Sequence, residues 1–291
     1  MLIEMTQTED IRIIRLANGG ANILSISNGM AAALFDAFND ALTYPSCKAI
    51  IIAGAGRMFC GGADLKDLPI AGELRDIFDA IEQSAKPVVV AMHGMALGGA
   101  VELAMAGHGR IAHSDTRFSL PEVNLGLLPG LGGTQRLPRL VGAEAALEMM
   151  LAGKTINAEE ALAAGLIDHV TNDDVVAEAM ALIRNKILTY RRTDQITPPA
   201  DLKSALQRHR NETHDPYNQA QKLILDSVSA ISEDFETGCA VERSNFDLAM
   251  KSENAQELLR DFFARRDKKA GREDAGPGNA GRSASQAQLH C

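Results

Sequence analysis

Residues 87–107 read PVVVAMHGMALGGAVELAMAG. The first part, from Pro87, contains a short continuous apolar run, which is typical of a strand covered on both faces of a sheet. The second part, ALGGAVELAMAG at residues 96–107, is apolar or glycine apart from Glu102, and it predicts a helix that starts near Gly99. A buried strand followed by a helix is the unit of an α/β fold, so this stretch decides the fold class.

The alternation of strands and helices extends from this stretch to about residue 190. Further strands are predicted at residues 11–15, 21–26, 49–54, 110–113, 117–120 and 166–170, and helices at residues 29–42, 72–84 and 158–164. Asn157 and Glu160 form a candidate capping box for the last of these helices, and Gly165 ends it.

Beyond residue 190 only helical patterns follow, at residues 201–212, 217–231, 233–250 and 253–266. We therefore divide the chain into an α/β core at residues 1–195, a helical C-terminal region at 196–267 and a tail at 268–291. The tail is polar, rich in glycine and without periodicity, so we expect it to be disordered.

The composition is that of a soluble globular protein. The chain has 291 residues, of which 46% are hydrophobic and 23% charged, and its formal net charge is −9. This charge argues against nucleic acid or an anionic membrane as the main partner, and no apolar run approaches the roughly 20 residues that span a bilayer. The four cysteines are scattered without zinc-ligand spacing, and the N-terminus lacks a signal-peptide pattern. We expect a cytoplasmic or organelle-matrix protein with no metal site.

Several familiar motifs fail on inspection. AGKT at residues 152–155 ends like a phosphate-binding loop, but Glu148 stands where the first glycine is needed. GLGG at residues 130–133 begins like a dinucleotide fingerprint, but Gln135 replaces its last glycine. No GxSxG elbow is present. ATP, NAD and a serine triad are therefore not expected, and neither is hydride transfer.

Three glycine-rich stretches carry polar residues instead: FCGGADL at 59–65, LGGAVEL at 97–103 and LPEVNLGLLPGLGGTQRL at 120–137. A helix that starts near Gly99 has free N–H groups and a positive dipole end, which bind an oxyanion. Glu102 lies one turn further on the same face, and Glu122 is a second candidate acid or base. The alternatives are an exposed glutamate in a first helical turn and a solvated loop carboxylate.

Together the three stretches resemble the crotonase superfamily, the enoyl-CoA hydratase and isomerase family, in order and spacing over roughly residues 10–266. The resemblance implies a spiral of ββα turns. It also implies that the N–H groups of Ala63 and Gly99 form an oxyanion hole and that Glu102 and Glu122 are the catalytic carboxylates. The residues that match the family's CoA-binding segments are Ala21, Asn22, Ile23, Gly61, Ala63, Asp64 and Leu65. Ala21 stands where the family often has a lysine, so the phosphate contact of that lysine is not expected here.

The function implied by this resemblance is reversible syn hydration of trans-2-enoyl-CoA to 3-hydroxyacyl-CoA, as in fatty acid β-oxidation. The acyl-CoA thioester is then the substrate, and coenzyme A enters only as part of it. The C-terminal region is more similar to the hydratase part of multifunctional β-oxidation enzymes than to a short hydratase. The alternatives are an enoyl-CoA Δ3-Δ2 isomerase, another acyl-CoA enzyme of the family and a non-catalytic RNA-binding member. The resemblance also implies a homotrimer or homohexamer.

Five further residues complete the predictions. Phe78, Ile81 and Gly130 are candidates for the acyl pocket, with a role in the core as the alternative for Phe78 and Ile81. We interpret Cys60, beside the first glycine-rich stretch, as a packing residue without thiol chemistry. We interpret Arg136 as a structural partner of a nearby carboxylate.

Overall fold

The computed structural model describes residues 1–212 and 219–274. Within these residues the chain forms nine strands: β1 (Ile3–Thr8), β2 (Ile11–Leu16), β3 (Ala49–Gly54), β4 (Val88–Met92), β5 (Met95–Leu97), β6 (Gly109–His113), β7 (Arg117–Ser119), β8 (Thr155–Asn157) and β9 (His169–Thr171). It forms eleven α-helices: α1 (Met30–Thr43), α2 (Gly72–Glu82), α3 (Gly99–Ala106), α4 (Gly133–Val141), α5 (Ala143–Ala152), α6 (Ala158–Ala164), α7 (Val175–Arg184), α8 (Leu202–Glu212), α9 (Gln219–Ser229), α10 (Phe235–Met250) and α11 (Glu253–Asp274). No helix of the described ranges is long and apolar enough to cross a membrane.

The strands form two sheets. The larger has the order β1-β2-β3-β4-β6-β9, and every pair except β1 with β2 is parallel. The smaller has the order β5-β7-β8, and single bridges from Leu24 to Ala63 and from Cys60 to Ala96 extend this layer. Each turn of the chain thus passes through the large sheet, then the small layer, then a helix, as β4, β5 and α3 do. This confirms the predicted α/β spiral of ββα turns.

The central strands are apolar on both sides because both sides are covered. Successive side chains of a strand point to opposite faces, so Ile50 and Ile52 of β3 pack into the main core. Ile51, between them, packs with Val89 of β4 in a second cluster, which α7 covers. The continuous apolar runs of the sequence are therefore explained by helices on both faces of the large sheet.

Several element boundaries agree with the sequence. Strand β3 and helix α6 have the predicted bounds, and α3 begins at Gly99 as predicted. The side chain of Asn157 accepts a hydrogen bond from the Glu160 N–H at 2.9 Å, and the Glu160 carboxylate accepts one from the Asn157 N–H at 2.8 Å. The predicted capping box at the start of α6 is thereby confirmed.

Other predictions were wrong. Residues 21–26 are not a strand: only Leu24 makes a bridge, because the buried side chain of Asn22 bonds to a neighbouring loop and its φ is +50°. The last helix was expected to end at residue 266, but α11 continues to Asp274. The remainder of the tail, 275–291, and the start of the helix predicted at 217–231 lie outside the described residues. Helices α4, α5 and α7 and strands β1, β5 and β8 were not predicted.

The C-terminal helices pack onto the spiral instead of forming a separate core. Ile224 of α9 and Phe246 of α10 belong to the same apolar cluster as Leu103 of α3. At α11 the backbones approach closely, since a Cβ placed on Gly126 would lie 2.9 Å from the Ala255 Cα. This contact sets α11 against the third glycine-rich stretch.

Candidate active site

The three glycine-rich stretches enclose one cavity of about 430 Å³. The predicted site residues that line it are Ile23, Gly61, Ala63, Asp64, Leu65, Gly99, Glu102, Glu122 and Gly130. The opposite wall comes from the C-terminal helices, which contribute Arg243 and Phe246 from α10 and Phe262 and Arg266 from α11. Residues far apart in the sequence thus share one concave site.

Two backbone N–H groups in this cavity are free to bind an anion. The N–H of Ala63 and that of Gly99 have no hydrogen-bond partner in the part of the chain that the structure describes. The two segments touch, because a Cβ on Gly99 would lie 3.1 Å from the Ala63 nitrogen. Gly99 is the first residue of α3, so its N–H also lies at the positive end of the helix dipole. Such an arrangement stabilises an oxyanion.

Glu102 lies one turn into α3 and is 2% exposed. Its Oε1 accepts hydrogen bonds from the N–H groups of Leu131 and Gly133, both at 2.8 Å. A Cβ on Gly133 would lie 2.7 Å from this oxygen, so only glycine fits there. Burial raises the pKa of Glu102 well above its usual value, and the charges of two other glutamates add to the effect. The second oxygen, Oε2, accepts no hydrogen bond from the described residues.

Glu122 begins a short 3-10 helix, Glu122–Leu125, directly after Pro121. Its Oε2 is buried without a hydrogen-bond partner among the described residues. Its Oε1 lies close to the backbone of α3, at 2.6 Å from the position of a Cβ on Gly98. Burial raises the pKa of Glu122 to about 7, which its own backbone N–H opposes and the charge of Glu242 supports. Of the carboxyl groups in this cavity, that of Glu122 therefore has the fewest hydrogen-bond donors to stabilise its ionised form.

A third carboxylate, Glu242 on α10, was not predicted from the sequence. It is fully buried, and its Oε1 accepts a hydrogen bond from the Gly132 N–H at 2.6 Å. Its Oε2 accepts from the N–H of Thr134 at 2.8 Å and from the Thr134 hydroxyl at 2.6 Å. The signal in the sequence is its place in the buried stripe of α10, beside Cys239 and Phe246, where a charged residue is costly unless it is paired.

Four predicted site residues do not line the cavity: Ala21, Asn22, Phe78 and Ile81. Phe78 and Ile81 are fully buried and do not line the cavity, because the apolar face of α2 points into the core and only the residues before the helix reach the cavity. The prediction that they line an acyl pocket is corrected accordingly. Asn22 is buried too, and its side-chain amide donates to the carbonyl groups of Ala55, Met58 and Phe59.

The segment before the first glycine-rich stretch braces that stretch from behind. The carbonyl group of Ala21 accepts a hydrogen bond from the Gly61 N–H at 2.7 Å, and neither Ala21 nor Asn22 lines the cavity. The Cys60 thiol donates to the Asn22 carbonyl group at 2.9 Å. Burial raises the pKa of this thiol to about 12, which fits a packing role without a thiolate.

Arg136 supports the site from the core. It is fully buried, lies 2.7 Å from carboxylate oxygens of both Asp79 and Glu82, and donates to the Leu131 carbonyl group at 2.9 Å. The predicted pairing with a carboxylate is present, and the last contact holds the peptide whose N–H group, that of Gly132, donates to Glu242. Across residues 1–212 and 219–274, no cluster of three His, Cys, Asp or Glu side chains is arranged to hold a metal ion.

Comparisons with known proteins identify the family of this chain. The sequence profile described as enoyl-CoA hydratase/isomerase matches residues 6–248, so the chain belongs to that family. This confirms the family predicted from the three glycine-rich stretches. The chain is 37% identical over 270 residues to the human peroxisomal bifunctional enzyme, and the match covers 88% of this chain and 37% of that protein.

Two further relatives match nearly their whole length. The chain is 33% identical over 274 residues to a probable enoyl-CoA hydratase of Bacillus subtilis (strain 168), which covers 91% of this chain and 96% of that one. The solved structure of an enoyl-CoA hydratase from Mycobacterium avium subsp. paratuberculosis K-10 superimposes with a TM-score of 0.68 at 24% identity, over 91% of this chain and 96% of that one, and so supports the fold. By contrast, the chain spans only 27–39% of the bifunctional and multifunctional relatives it matches.

Proposed function

We propose that this protein is an enoyl-CoA hydratase, which adds water reversibly and in syn fashion to trans-2-enoyl-CoA to give 3-hydroxyacyl-CoA. One observation carries the proposal: two free backbone N–H groups, of Ala63 and Gly99, share a cavity with two glutamates, Glu102 and Glu122. This set contains an anion site, a group to take a proton and a group to give one. Membership in the enoyl-CoA hydratase/isomerase family supports it.

The two N–H groups act on the thioester. When a water oxygen bonds to Cβ of the enoyl group, electron density moves through Cα to the thioester oxygen, which becomes negative. Donors fixed in advance stabilise that oxygen without reorganisation, and removal of one such donor typically costs about 10²–10³ in kcat. Since Ala63 and Gly99 donate from the backbone, their neighbours Gly62 and Gly98, both with positive φ, set the geometry.

The two glutamates divide the proton transfers. Glu102 accepts two N–H bonds on Oε1, which favour its ionised form, and its Oε2 is free to take a proton from water. The carboxyl group of Glu122 accepts no hydrogen bond from another described residue, so it is the better place for a proton, which it gives to Cα. Water thus loses one proton to Glu102 while Glu122 supplies another, and both additions occur from the same face.

The remaining cavity residues fit an acyl-CoA thioester. We propose that Ile23, Gly61, Ala63, Asp64 and Leu65 contact the CoA part and that Gly130 belongs to the acyl pocket. Phe246 lies directly against Gly130, since a Cβ there would be 2.6 Å from the phenyl ring. In this proposal coenzyme A is needed only as part of the substrate. The family resemblance further implies an assembly of three or six chains, which light scattering measures.

The test is loss of enoyl-thioester absorbance with crotonyl-CoA and longer enoyl-CoA esters. Glu102→Gln and Glu122→Gln should each slow hydration by about 10²–10⁴, the usual contribution of general acid–base groups. Glu159→Gln, at an exposed position on α6, is the matched control and should hydrate like the parent.

Each other result has a defined meaning. If the parent hydrates no chain length, the proposed function is wrong. If Glu102→Gln hydrates normally, the mechanism with two carboxylates is wrong. If the parent converts 3-enoyl-CoA to 2-enoyl-CoA but adds no water, the protein is an isomerase of the same family, for which one carboxylate suffices.

A further inference from the structure

The N-terminus of α4 is shared between two buried carboxylates. Four consecutive N–H groups, from Leu131 to Thr134, point alternately to two glutamates: those of Leu131 and Gly133 to Glu102, and those of Gly132 and Thr134 to Glu242. Gly132 is the N-cap of α4 and Gly133 and Thr134 begin it, so three of these N–H groups are donors that a helix start leaves without partners inside the helix. The carboxylate that faces the cavity and the one behind it therefore hold one helix end in place.

Every hydrogen bond that Glu242 makes is one that it accepts. The oxygens of its carboxylate receive three donors: the N–H groups of Gly132 and Thr134 and the Thr134 hydroxyl. Acceptance of three donors favours the ionised form, because an ionised carboxylate has only acceptor sites. These donors favour the ionised form of Glu242 and oppose burial, which raises its pKa. The carboxylate is fully buried and absent from the cavity wall.

That charge acts on the pair in the cavity. It raises the pKa of Glu102 and that of Glu122, since a like charge in a poorly hydrated region disfavours ionisation of its neighbours. Burial raises the pKa of Glu242, and its hydrogen-bond donors oppose this rise, as does the charge of Arg75 on α2, which donates to the Cys239 carbonyl group. The charged and titratable groups around Glu242 are therefore Glu102 on α3, Glu122 on the 3-10 helix, Arg75 on α2 and Cys239 on α10. Arg136 on α4 pairs with Asp79 and Glu82 instead.

We propose that Glu242 is a positioning residue: it fixes the end of α4 over Glu102 and, as a buried negative charge, makes the cavity pair retain one proton, which the N–H donors on Glu102 leave to Glu122. The placement follows from the donors. Three neighbouring carboxyl groups cannot all be ionised, so one of them keeps a proton. The carboxyl group of Glu122 alone accepts no hydrogen bond from another described residue, so the proton is placed on Glu122. This role rests on the proposed function for its catalytic meaning.

The test uses the carboxylic acid band of the folded protein in infrared difference spectra, which requires no turnover. The band of Glu122 is assigned by its loss in Glu122→Gln, and its midpoint is followed against pH. In Glu242→Gln the midpoint should fall by about one pH unit, the scale of a neighbouring like charge. The pH dependence of hydration should move in the same direction, whereas a merely structural role would leave both midpoints unchanged.

A second variant covers the case in which Glu242→Gln does not fold. Thr134→Val keeps the size of this buried side chain and removes only the hydroxyl that donates to Glu242. Glu242 then takes up a proton more readily, so the Glu122 midpoint should fall as well, by less. Glu242→Asp keeps the negative charge on a shorter side chain and serves as the matched control. In this variant the Glu122 midpoint should stay near that of the parent, even if the stability of the protein drops.

Two outcomes separate this inference from the proposed function. If Thr134→Val and any folded Glu242→Gln titrate like the parent, Glu242 does not control the proton, whatever the enzyme does. If the band shifts as expected but the parent hydrates no enoyl-CoA, Glu242 positions the proton and the hydratase proposal fails.

Discussion

Replacement of Gly98 by alanine tests whether the position of Glu122 governs the reaction. Gly98 precedes α3 with φ +53° and ψ −121°, a conformation that residues with a side chain rarely adopt. A Cβ at this residue would lie 2.6 Å from Glu122 Oε1, and real Cβ atoms essentially never come closer than 3.0 Å. The substitution therefore strains the backbone and displaces the carboxyl group at once.

The two effects differ in what they change. Backbone strain of this kind lowers the free energy of unfolding by about 1–3 kcal/mol. The clash itself adds little to that loss, because Glu122 is the end of a flexible side chain and moves away. The move is costly for catalysis instead: a displacement of about 1 Å at a reacting group slows a reaction by roughly 10²-fold. We therefore expect the backbone strain to lower the free energy of unfolding and the displacement of Glu122 to lower kcat.

Gly142→Ala is the matched control. Gly142 has φ +84° and lies between α4 and α5, outside the cavity wall, and the nearest atom to its Cβ would be a carboxylate oxygen of Asp201 at 3.6 Å. It should lose comparable stability in denaturant unfolding and keep the hydration rate of the parent. Added to Glu122→Gln, Gly98→Ala should slow the reaction little further, because both changes act on one group. If Gly98→Ala hydrates crotonyl-CoA within about tenfold of Gly142→Ala, a difference of roughly 1.4 kcal/mol in the barrier, the position of Glu122 is not limiting.

Two further predictions concern stability. The pKa of Glu122 is raised from 4.5 to about 7 in the folded chain, so between these pH values the folded state binds more protons than the unfolded state. The contribution of Glu122 to stability therefore falls as pH rises through this range. Glu122→Gln lacks this loss, so its thermal stability relative to the parent should be higher at pH 8 than at pH 5, and an equal difference at both pH values would refute the assignment. Arg136→Met removes the buried cation between Asp79 and Glu82 and should lower the free energy of unfolding, measured in urea, by about 3–5 kcal/mol. The control Lys222→Gln breaks an exposed ion pair with Asp226 and should lower it far less. A similar loss in both variants would contradict the role of burial.

The parts of the fold that the sequence predicted are those decided by local pattern. Strand β3 is a continuous apolar run and α6 carries its own capping box, so neighbours along the chain settle both. Glu102 and Glu122 were found for a related reason, since each stands in a glycine-rich stretch of distinctive spacing. Local pattern fails where a distant contact decides the structure. Residues 21–26 have the composition of a strand, yet Asn22 bonds to carbonyl groups more than 30 residues away and keeps the segment a loop.

Glu242 shows the same limit at the site itself. Its hydrogen bonds reach Gly132 and Thr134, separated from it by 110 and 108 residues. In the sequence it is one glutamate in a helix with many charged residues, and only its register in the buried stripe sets it apart. Phe78 and Ile81 illustrate the converse error: their position after the first glycine-rich stretch suggested the acyl pocket, but the helical period turns them into the core.

The α4 N-terminus explains why the helical C-terminal region belongs to the site. Glu102 from the spiral and Glu242 from α10 divide four N–H groups that no other described residue accepts from. Without Glu242, the N–H groups of Gly132 and Thr134 would be buried donors without acceptors, which costs about 1–3 kcal/mol each and frees the helix end that holds Glu102. The spiral thus supplies the groups proposed to react, and α10 supplies the carboxylate that fixes the helix end above them and, in our proposal, makes the pair retain one proton.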